Sequence, residues 1–161
     1  MSDQADSASE RQECATKSPL RILVVEDDLS ILHISTTVLT RSGYKVDAAA
    51  DGAEAWKALK SGTYDLMITD NNMPKVSGME LIKKVRAAHM ALPVIMATGM
   101  VPEEELARAP WLQPQATLIK PYSTRELVNT VKLVLKTTTP SSAQMLPSPN
   151  WQPAGNGVWV C

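Results

Sequence analysis

Five polar side chains that could take part in catalysis or ligand binding lie at the ends of short apolar runs in this sequence. A run that could form a buried strand ends at or just before each of them: Glu26 and Asp27, Asp70, Thr98, and Lys120. In open α/β sheets, ligands bind outside the carboxyl ends of the strands, in the crevice where the strand order switches. The spacing therefore predicts that these residues share one site, although they lie far apart along the chain.

The three carboxylates of this set point to a divalent cation. Glu26, Asp27 and Asp70 would repel one another in a common pocket, and one of them would tend to hold a proton. Mg²⁺ (or Mn²⁺) relieves that repulsion, because it binds carboxylates together with water and phosphate oxygens. A bound cation attracts a phosphoryl group, and a carboxylate can accept that group as an aspartyl phosphate. The cluster thus predicts metal-assisted phosphoryl transfer.

Lys120 and Thr98 complement this chemistry, because phosphoryl transfer depends mainly on positioning and charge neutralisation. Lys120 supplies an ammonium for phosphoryl oxygens, Thr98 supplies a hydroxyl donor, and Gly99 leaves open space beside it. Each residue alone has an ordinary structural explanation. An acidic pair after a strand is commonly a helix N-cap, and a lone lysine is commonly a solvated charge. Their joint occurrence at four strand ends favours a site.

The elements that must position these residues alternate regularly along the chain. Segments whose apolar residues recur at helical spacing separate the short apolar runs, which cover residues 22–25, 46–49, 66–69, 94–97 and 116–119. Unbroken apolar strands are typical of a parallel sheet covered on both faces, and the βα repeat predicts a doubly wound α/β fold with right-handed crossovers. In the strand order 2-1-3-4-5, the three carboxylates would converge.

Three regions of the 161 residues differ in composition. Residues 1–19 are polar and lack periodicity, which predicts a disordered leader. Residues 20–137 form the alternating block and are predicted to be one domain. Residues 138–161 are rich in Pro and Ser and are predicted to be a flexible tail. The alternative is that Trp151 and Trp159 within this tail dock on the domain or on a partner.

Composition narrows the classes of partner and compartment. The net charge of −1 and the lack of a basic run argue against a nucleic-acid or membrane partner. No apolar segment has the pattern of a signal peptide or the length of a membrane helix, which predicts a cytoplasmic protein. Cys14 and Cys161 do not form a disulfide framework or a metal motif and are predicted to be free thiols.

The motifs together resemble the receiver family of response regulators. They are Ile-Leu-Val-Val-Glu26-Asp27-Asp28, Asp70-Asn71-Asn72-Met73-Pro74 with Gly78, Thr98-Gly99, and Lys120-Pro121-Tyr122. The resemblance spans residues 20–137 and implies a flavodoxin-like fold, with a five-stranded parallel sheet in the order 2-1-3-4-5 and five helices. It also implies a cis peptide bond between Lys120 and Pro121.

In this family the matching positions have defined roles. The resemblance implies that Asp70 is the phosphoacceptor, that Thr98 hydrogen-bonds the phosphoryl group and that Lys120 pairs with the acyl phosphate. One position departs from the family pattern. Receivers often carry an aromatic residue three positions before the lysine, where it rotates together with the threonine, and this chain has Thr117 there. The coupled movement of these two side chains is therefore not expected in its usual form.

The resemblance also implies a set of metal ligands, which are Glu26, Asp27, Asp70 and Asn72. Asp27 would bind Mg²⁺ directly, Glu26 would act through water, and Asn72 would offer its backbone carbonyl. The role of Asn72 follows from the resemblance alone, since an asparagine in a loop after a strand is common.

The function implied is a signalling switch with only self-catalysed phosphoryl uptake and loss. A histidine kinase or histidine phosphotransfer protein would donate to Asp70, and phosphorylation would alter binding to a downstream protein target. Two alternatives stay open, a receiver-like scaffold that is not phosphorylated and a receiver fragment of a hybrid histidine kinase. A flavin or nucleotide enzyme is disfavoured, because Glu-Asp-Asp replaces the glycine-rich phosphate loop after the first strand.

Overall fold

The apolar runs pair into one parallel sheet in a computed structural model of the chain, which describes residues 17–138. The strand order is β2-β1-β3-β4-β5, as predicted. The strands are β1 (Arg21–Val25), β2 (Lys45–Ala49), β3 (Leu66–Asp70), β4 (Val94–Thr98) and β5 (Ala116–Ile119). In the register, Val25 lies beside Thr69, and Asp70 lies beside Ala97. The carboxyl ends of β1, β3 and β4 therefore meet at one edge of the sheet.

Five α-helices alternate with the strands within residues 17–138, also as predicted. They are α1 (Leu29–Arg41), α2 (Gly52–Ser61), α3 (Gly78–Ala87), α4 (Glu103–Arg108) and α5 (Thr124–Thr138). α4 has only six residues and is followed by a 3₁₀ turn at Pro110–Leu112. A proline disfavours the helical conformation of the residue before it, and Ala109 accordingly has φ −135° and ψ 74°. Pro110 thus explains why α4 is short.

Helix caps fix where the loops at the site edge turn into helices. The Asp28 side chain caps α1 by accepting hydrogen bonds from the backbone N–H groups of Ser30 and Ile31, at 2.8 and 3.2 Å. Ser77 and Glu80 form a reciprocal capping box at the start of α3. α1 and α3 therefore begin immediately beyond the loops that follow β1 and β3.

Two apolar cores cover the two faces of the sheet, as the unbroken apolar strands predict. Alternate residues of each strand point to opposite faces, so Leu23 and Val25 pack in one core with α2 and α3, while Ile22 and Val24 pack in the other with α1 and α5. All of these strand side chains are at most 2% exposed. The sheet is thus a rigid support for the polar residues at its carboxyl edge.

A polar cluster of Arg21, Asp47 and Tyr64 links strand β1 to β2 and to the loop before β3. Asp47 Oδ2 accepts hydrogen bonds from Arg21 Nε at 2.8 Å and from the Tyr64 hydroxyl at 2.9 Å. The Arg21 guanidinium also lies 4.6 Å from the centre of the Tyr64 ring. Partial burial raises the pKa of Asp47, but the hydrogen bonds from Tyr64 and Arg21 outweigh it, so the net pKa is below its usual value.

This cluster predicts a specific dependence of stability on pH. Because the pKa of Asp47 is lower in the folded than in the unfolded protein, its contribution is complete above the unfolded value of about 3.9. That contribution is lost as the pH falls through the folded value. We expect the Tm difference between the unmodified protein and Asp47→Asn to shrink as the pH is lowered from 7 to 3, measured by circular dichroism. Glu103→Gln, at the exposed start of α4, is the control and should show a constant small difference. Parallel Tm curves for Asp47→Asn and the unmodified protein would contradict the prediction.

The described residues do not cover every prediction from composition. α5 continues to Thr138, one residue beyond the predicted end of the domain. The leader and tail predictions at residues 1–16 and 139–161, with both cysteines, lie outside the described residues. Within residues 17–138, none of the helices combines the length and the apolar composition that crossing a bilayer requires.

Candidate functional site

The three carboxylates predicted to converge lie together at the carboxyl edge of the sheet. Glu26 and Asp27 directly follow β1, and Asp70 is the last residue of the neighbouring strand β3. One carboxylate oxygen from each of the three lies within 4.8 Å of the others. Glu26 and Asp70 are buried, whereas Asp27 is exposed. The cluster is therefore open to solvent on the Asp27 side.

Lys120 brings its ammonium to two of these carboxylates. Its Nζ donates to Glu26 Oε2 at 2.8 Å and lies 3.3 Å from Asp70 Oδ2. The backbone N–H of Lys120 also donates to the carbonyl of Thr98 at 2.9 Å, which ties the end of β5 to β4. The Lys120–Pro121 peptide bond is cis, as predicted. Burial lowers the pKa of Lys120, but Glu26 and Asp70 raise it to above its usual value, so the side chain is an ammonium.

The electrostatics of the cluster favour a bound cation. Burial raises the pKa of Glu26, and the neighbouring Asp70 raises it further, although the hydrogen bond from Lys120 opposes both effects. The net pKa of Glu26 is above its usual value, because burial together with the charge of Asp70 outweighs the effect of Lys120. An all-oxygen donor set with excess negative charge suits a hard divalent ion. The oxygens that would hold such an ion belong to Glu26, Asp27 and Asp70.

The loop between β3 and α3 contacts the Asp70 carboxylate at the oxygen that does not face Lys120. Asp70 Oδ1 accepts a hydrogen bond from the backbone N–H of Asn72 at 3.2 Å. The loop is closed by two bonds to Asn71, whose carbonyl accepts from Gly78 N–H and whose side chain accepts from Met79 N–H, both at 3.2 Å. The Asn72 side chain is exposed. Asn72 is thus brought to Asp70 through its backbone, and its role as a metal ligand stays a prediction.

Thr98 lies at the end of β4, and the loop after that strand engages its hydroxyl. Thr98 Oγ1 donates to the carbonyl of Met100 at 2.8 Å and accepts from the Met100 N–H at 3.2 Å. Gly99 has open space where a Cβ would be, as the sequence predicts. The Thr98 hydroxyl thus ties the end of β4 to the backbone of the loop that follows it.

Thr117, in the place of the usual aromatic residue, is half-buried on β5. It lines a shallow groove together with Val101, Leu106, Gln113 and Pro114. No large side chain from position 117 fills that groove. Any movement of the loop after β4 must accordingly proceed without an aromatic partner at this position.

The approach of the Tyr122 and Ser35 side chains at the edge of the site was not predicted from the sequence. Ser35 is buried on α1, and burial raises the pKa of the half-buried Tyr122. Tyr122 follows Lys120 and Pro121 directly in the sequence. This adjacency could have identified Tyr122 as a residue at the edge of the site. The missing information was its partner, because Ser35 is 87 residues earlier in the chain.

Comparison with known proteins agrees with this fold. Residues 22–132 match the family model of the response regulator receiver domain. The transcriptional regulatory protein PhoP of Bacillus subtilis, named for alkaline phosphatase synthesis, is 35% identical over 116 residues, which cover 72% of this chain and 48% of PhoP. The chain thus spans about half the length of the curated relatives that it matches.

Solved structures match over nearly their whole length. The chemotaxis protein CheY4 of Vibrio cholerae has a TM-score of 0.67 and 30% identity, with 72% of this chain and 98% of CheY4 covered. The response regulator protein TrrA of Thermotoga maritima, solved in complex with Mg²⁺-BeF, has a TM-score of 0.63 and 32% identity. The match to TrrA covers 71% of this chain and 98% of TrrA.

Proposed function

Since the chain belongs to the response regulator receiver family, we propose that it is a phosphorylation-dependent signalling switch of a two-component system or phosphorelay. In this proposal, a histidine kinase or histidine phosphotransfer protein donates a phosphoryl group to Asp70 with the help of Mg²⁺ (or Mn²⁺). The modification alters how residues 20–137, the proposed receiver domain, bind a downstream protein. The chain then acts as a signalling protein that catalyses only its own phosphorylation and dephosphorylation.

The observation that carries this proposal is the set of contacts around the Asp70 carboxylate. Asp70 Oδ2 lies 3.3 Å from the Lys120 ammonium, Oδ1 accepts the Asn72 N–H, and the carboxylates of Glu26 and Asp27 lie within 4.8 Å. The proposed nucleophile, Asp70, is thus held at a rigid strand end. On one side lies the Lys120 ammonium, and on the other lie the carboxylates of Glu26 and Asp27, which suit a divalent metal ion. Such positioning and charge neutralisation are the main requirements of phosphoryl transfer.

The proposed transfer balances without a further reactant. One Asp70 carboxylate oxygen forms a bond to phosphorus while the P–N bond of the phosphohistidine breaks, and the imidazole nitrogen keeps the electron pair. Lys120 then neutralises charge on the acyl phosphate, for which it must loosen its hydrogen bond to Glu26. Glu26, Asp27, Asp70 and the Asn72 carbonyl would hold a divalent ion, which would supply charge neutralisation for the phosphoryl oxygens. TrrA, crystallised with Mg²⁺-BeF, supports this assignment by similarity.

Thr98 is proposed to link phosphorylation to a change in surface shape. Its hydroxyl holds both backbone groups of Met100, so donating to a phosphoryl oxygen would release the loop after β4. The Met100 side chain is 79% exposed, which places the released loop on the surface that a partner can contact. The two arrangements of this loop are the states whose populations phosphorylation shifts.

The binding partners and the cellular location of the protein are also part of this proposal. The curated relatives are named as transcriptional regulatory proteins, and the match covers about half of each. The expectation that this chain does not bind nucleic acid therefore stays a prediction, as does its cytoplasmic location. The proposed kinase is a protein that donates from a phosphohistidine. The proposed downstream target is a protein that distinguishes the two arrangements of the loop after β4.

Binding of beryllofluoride, an analogue of the phosphoryl group, tests the proposal directly. We expect beryllofluoride with Mg²⁺ to shift the amide signals of Thr98, Gly99, Met100 and Lys120 in a ¹H–¹⁵N NMR spectrum. Neither additive alone should produce the full set of shifts, because the ion and the acyl-phosphate analogue stabilise each other. Asp27→Asn removes one proposed metal ligand and should raise the Mg²⁺ concentration needed by at least about tenfold.

A matched control keeps this test specific. Asp65→Asn changes a carboxylate at the opposite end of β3 and should leave the Mg²⁺ requirement unchanged. An unmodified protein whose spectrum does not respond to the two additives together would contradict the proposal and favour the scaffold that is not phosphorylated.

A further inference from the structure

An apolar groove lies between α1 and α5, next to the carboxylate site. It has a volume of about 390 Å³, and its lining includes Ile31 and Ile34 of α1, Leu127 of α5, and Pro121 and Tyr122 of the connecting loop. Ile34 is 51% exposed although it faces other apolar side chains. The groove is therefore an exposed apolar surface that lacks a cover among the described residues 17–138.

The groove carries almost no charge of its own. Its one charged lining residue is Lys120, whose ammonium is already paired with Glu26 and Asp70. Two other concave surfaces of the described chain are lined by several charged residues. One near Met100 is lined by Glu103, Glu104 and Glu105, and one near Tyr44 is lined by Lys17, Lys132 and Lys136. An uncharged apolar segment that bound at either surface would remove water from those charged side chains, which costs free energy. Binding in the α1–α5 groove would not carry this desolvation cost.

The sequence beyond α5 has the composition that this groove requires. Residues 139–161 contain no Asp, Glu, Lys, Arg or His, although 20% of the whole sequence is charged. The same segment carries Trp151, Val158, Trp159 and Val160. Tryptophan buries a large apolar area at a low cost in conformational entropy, which makes it an effective anchor in a pocket.

The length of this segment is sufficient for it to reach the groove. The groove lies near the start of α5, at Thr124 and Leu127, and the segment leaves the other end of the helix at Thr138. α5 has 15 residues, so the segment must return along about 22 Å of helix. Trp151 is the thirteenth residue after Thr138, and that length of extended chain spans about 45 Å. Both tryptophans can therefore reach the groove.

From these observations we propose that the segment of residues 139–161 docks in the α1–α5 groove of its own chain through Trp151 and Trp159. The docked segment covers Ile34 and Tyr122 and lies beside Lys120. The docking itself does not require phosphorylation.

Paramagnetic NMR of the full chain tests the docking without any phosphodonor. Cys14→Ser leaves Cys161, two residues after Trp159, as the site for a nitroxide label. We expect the label to remove most of the amide signal intensity around Ile31, Ile34 and Tyr122 and to leave the signals of α3 unchanged. Trp151→Ser with Trp159→Ser should restore the lost intensity, because these substitutions remove the anchors and do not alter the domain.

Two substitutions on the domain provide a matched pair. Ile34→Asp places a charge in the groove and should restore the signals, whereas Leu133→Asp changes a 62% exposed side chain on α5 that does not line the groove and should leave the broadening in place. Unchanged α3 signals in both variants verify that the domain is folded.

Several results would overturn the proposal. Broadening that is weak, uniform and insensitive to Ile34→Asp would mean that the segment does not dock. Broadening centred on Tyr44 and Lys136 would place it in the other groove. Broadening of ¹⁵N-labelled protein mixed with nitroxide-labelled ¹⁴N protein would mean that a second copy occupies the groove. Because no result depends on phosphoryl chemistry, failure of this proposal is distinguishable from failure of the proposed function.

Discussion

Replacing Asp70 by asparagine is expected to abolish phosphoryl uptake completely and to leave the fold intact. The side-chain amide that replaces the carboxylate is not a nucleophile, and the remaining carboxylates of Glu26 and Asp27 are not held against both Lys120 and the Asn72 N–H as Asp70 is. The measurement is incorporation of ³²P from acetyl [³²P]phosphate with Mg²⁺, followed by intact-protein mass spectrometry.

The fold should tolerate this change because the cluster carries excess negative charge. Removing one of three neighbouring carboxylates relieves repulsion and costs one ion pair with Lys120, whose ammonium keeps its 2.8 Å bond to Glu26. We therefore expect the Tm without metal to be equal to or higher than that of the unmodified protein.

Controls separate loss of the nucleophile from loss of structure. Asp65→Asn, immediately before β3, should become labelled like the unmodified protein. An Asp70→Asn protein that still accepted the phosphoryl group would refute the assignment of Asp70, and a markedly lower Tm would refute the view that the cluster is built for a cation rather than for stability.

Gly78→Ala is expected to produce the largest loss of stability from a single methyl group in the described structure. A Cβ at Gly78 would clash with the Asp70 carbonyl oxygen and would lie 3.0 Å from the Cα of Asn71. Both neighbours are backbone atoms, which cannot rotate away as a side chain can. Overpacking of this kind costs about 1–3 kcal/mol, which corresponds to a Tm decrease of roughly 4–15 °C for a domain of this size.

The same substitution should also impair the site. Relief of the clash requires the loop between β3 and α3 to move away from β3, and that loop supplies the Asn72 N–H to Asp70. We expect slower labelling by acetyl phosphate as well as a lower Tm. Both effects should be measured on the same preparation.

Gly99→Ala is the matched control, because it adds the same methyl group beside the same site. A Cβ at Gly99 would meet no atom within 4 Å, and the backbone there does not have a positive φ. Its Tm should change by no more than about 2–4 °C, in the direction of higher stability. Equal Tm values for Gly78→Ala and the unmodified protein would show that the close approach of Gly78 to Asp70 is not a constraint of the fold.

The sequence was sufficient to predict the architecture and the meeting of the three carboxylates. Strand and helix periodicity are local properties, and each apolar run ends at the residue where its strand ends or one residue before it. Once alternating strands and helices indicate a parallel sheet, the carboxyl ends must share an edge. Glu26, Asp27 and Asp70 could therefore be assigned to one cluster before any distance was known.

Contacts between side chains from distant segments could not be obtained in this way. Three such contacts depend on loop geometry that periodicity does not describe. They are the two ion pairs of Lys120 with Glu26 and Asp70, the approach of Tyr122 to Ser35, and the hydrogen bonds of Thr98 to Met100. The short length of α4 differs from these contacts, because its cause is visible in the sequence. Pro110 disfavours a helical conformation of the residue before it, although the flanking residues have a helical pattern.

By itself, then, the sequence determined which residues stand at the carboxyl edge, because the ends of strands are set by local composition. Only the tertiary structure decided that Lys120 hydrogen-bonds Glu26 and that the Arg21, Asp47 and Tyr64 side chains form a cluster. It also decided that an apolar groove lies between α1 and α5. Those features depend on angles and distances between packed elements, which arise only when the two cores form around the sheet.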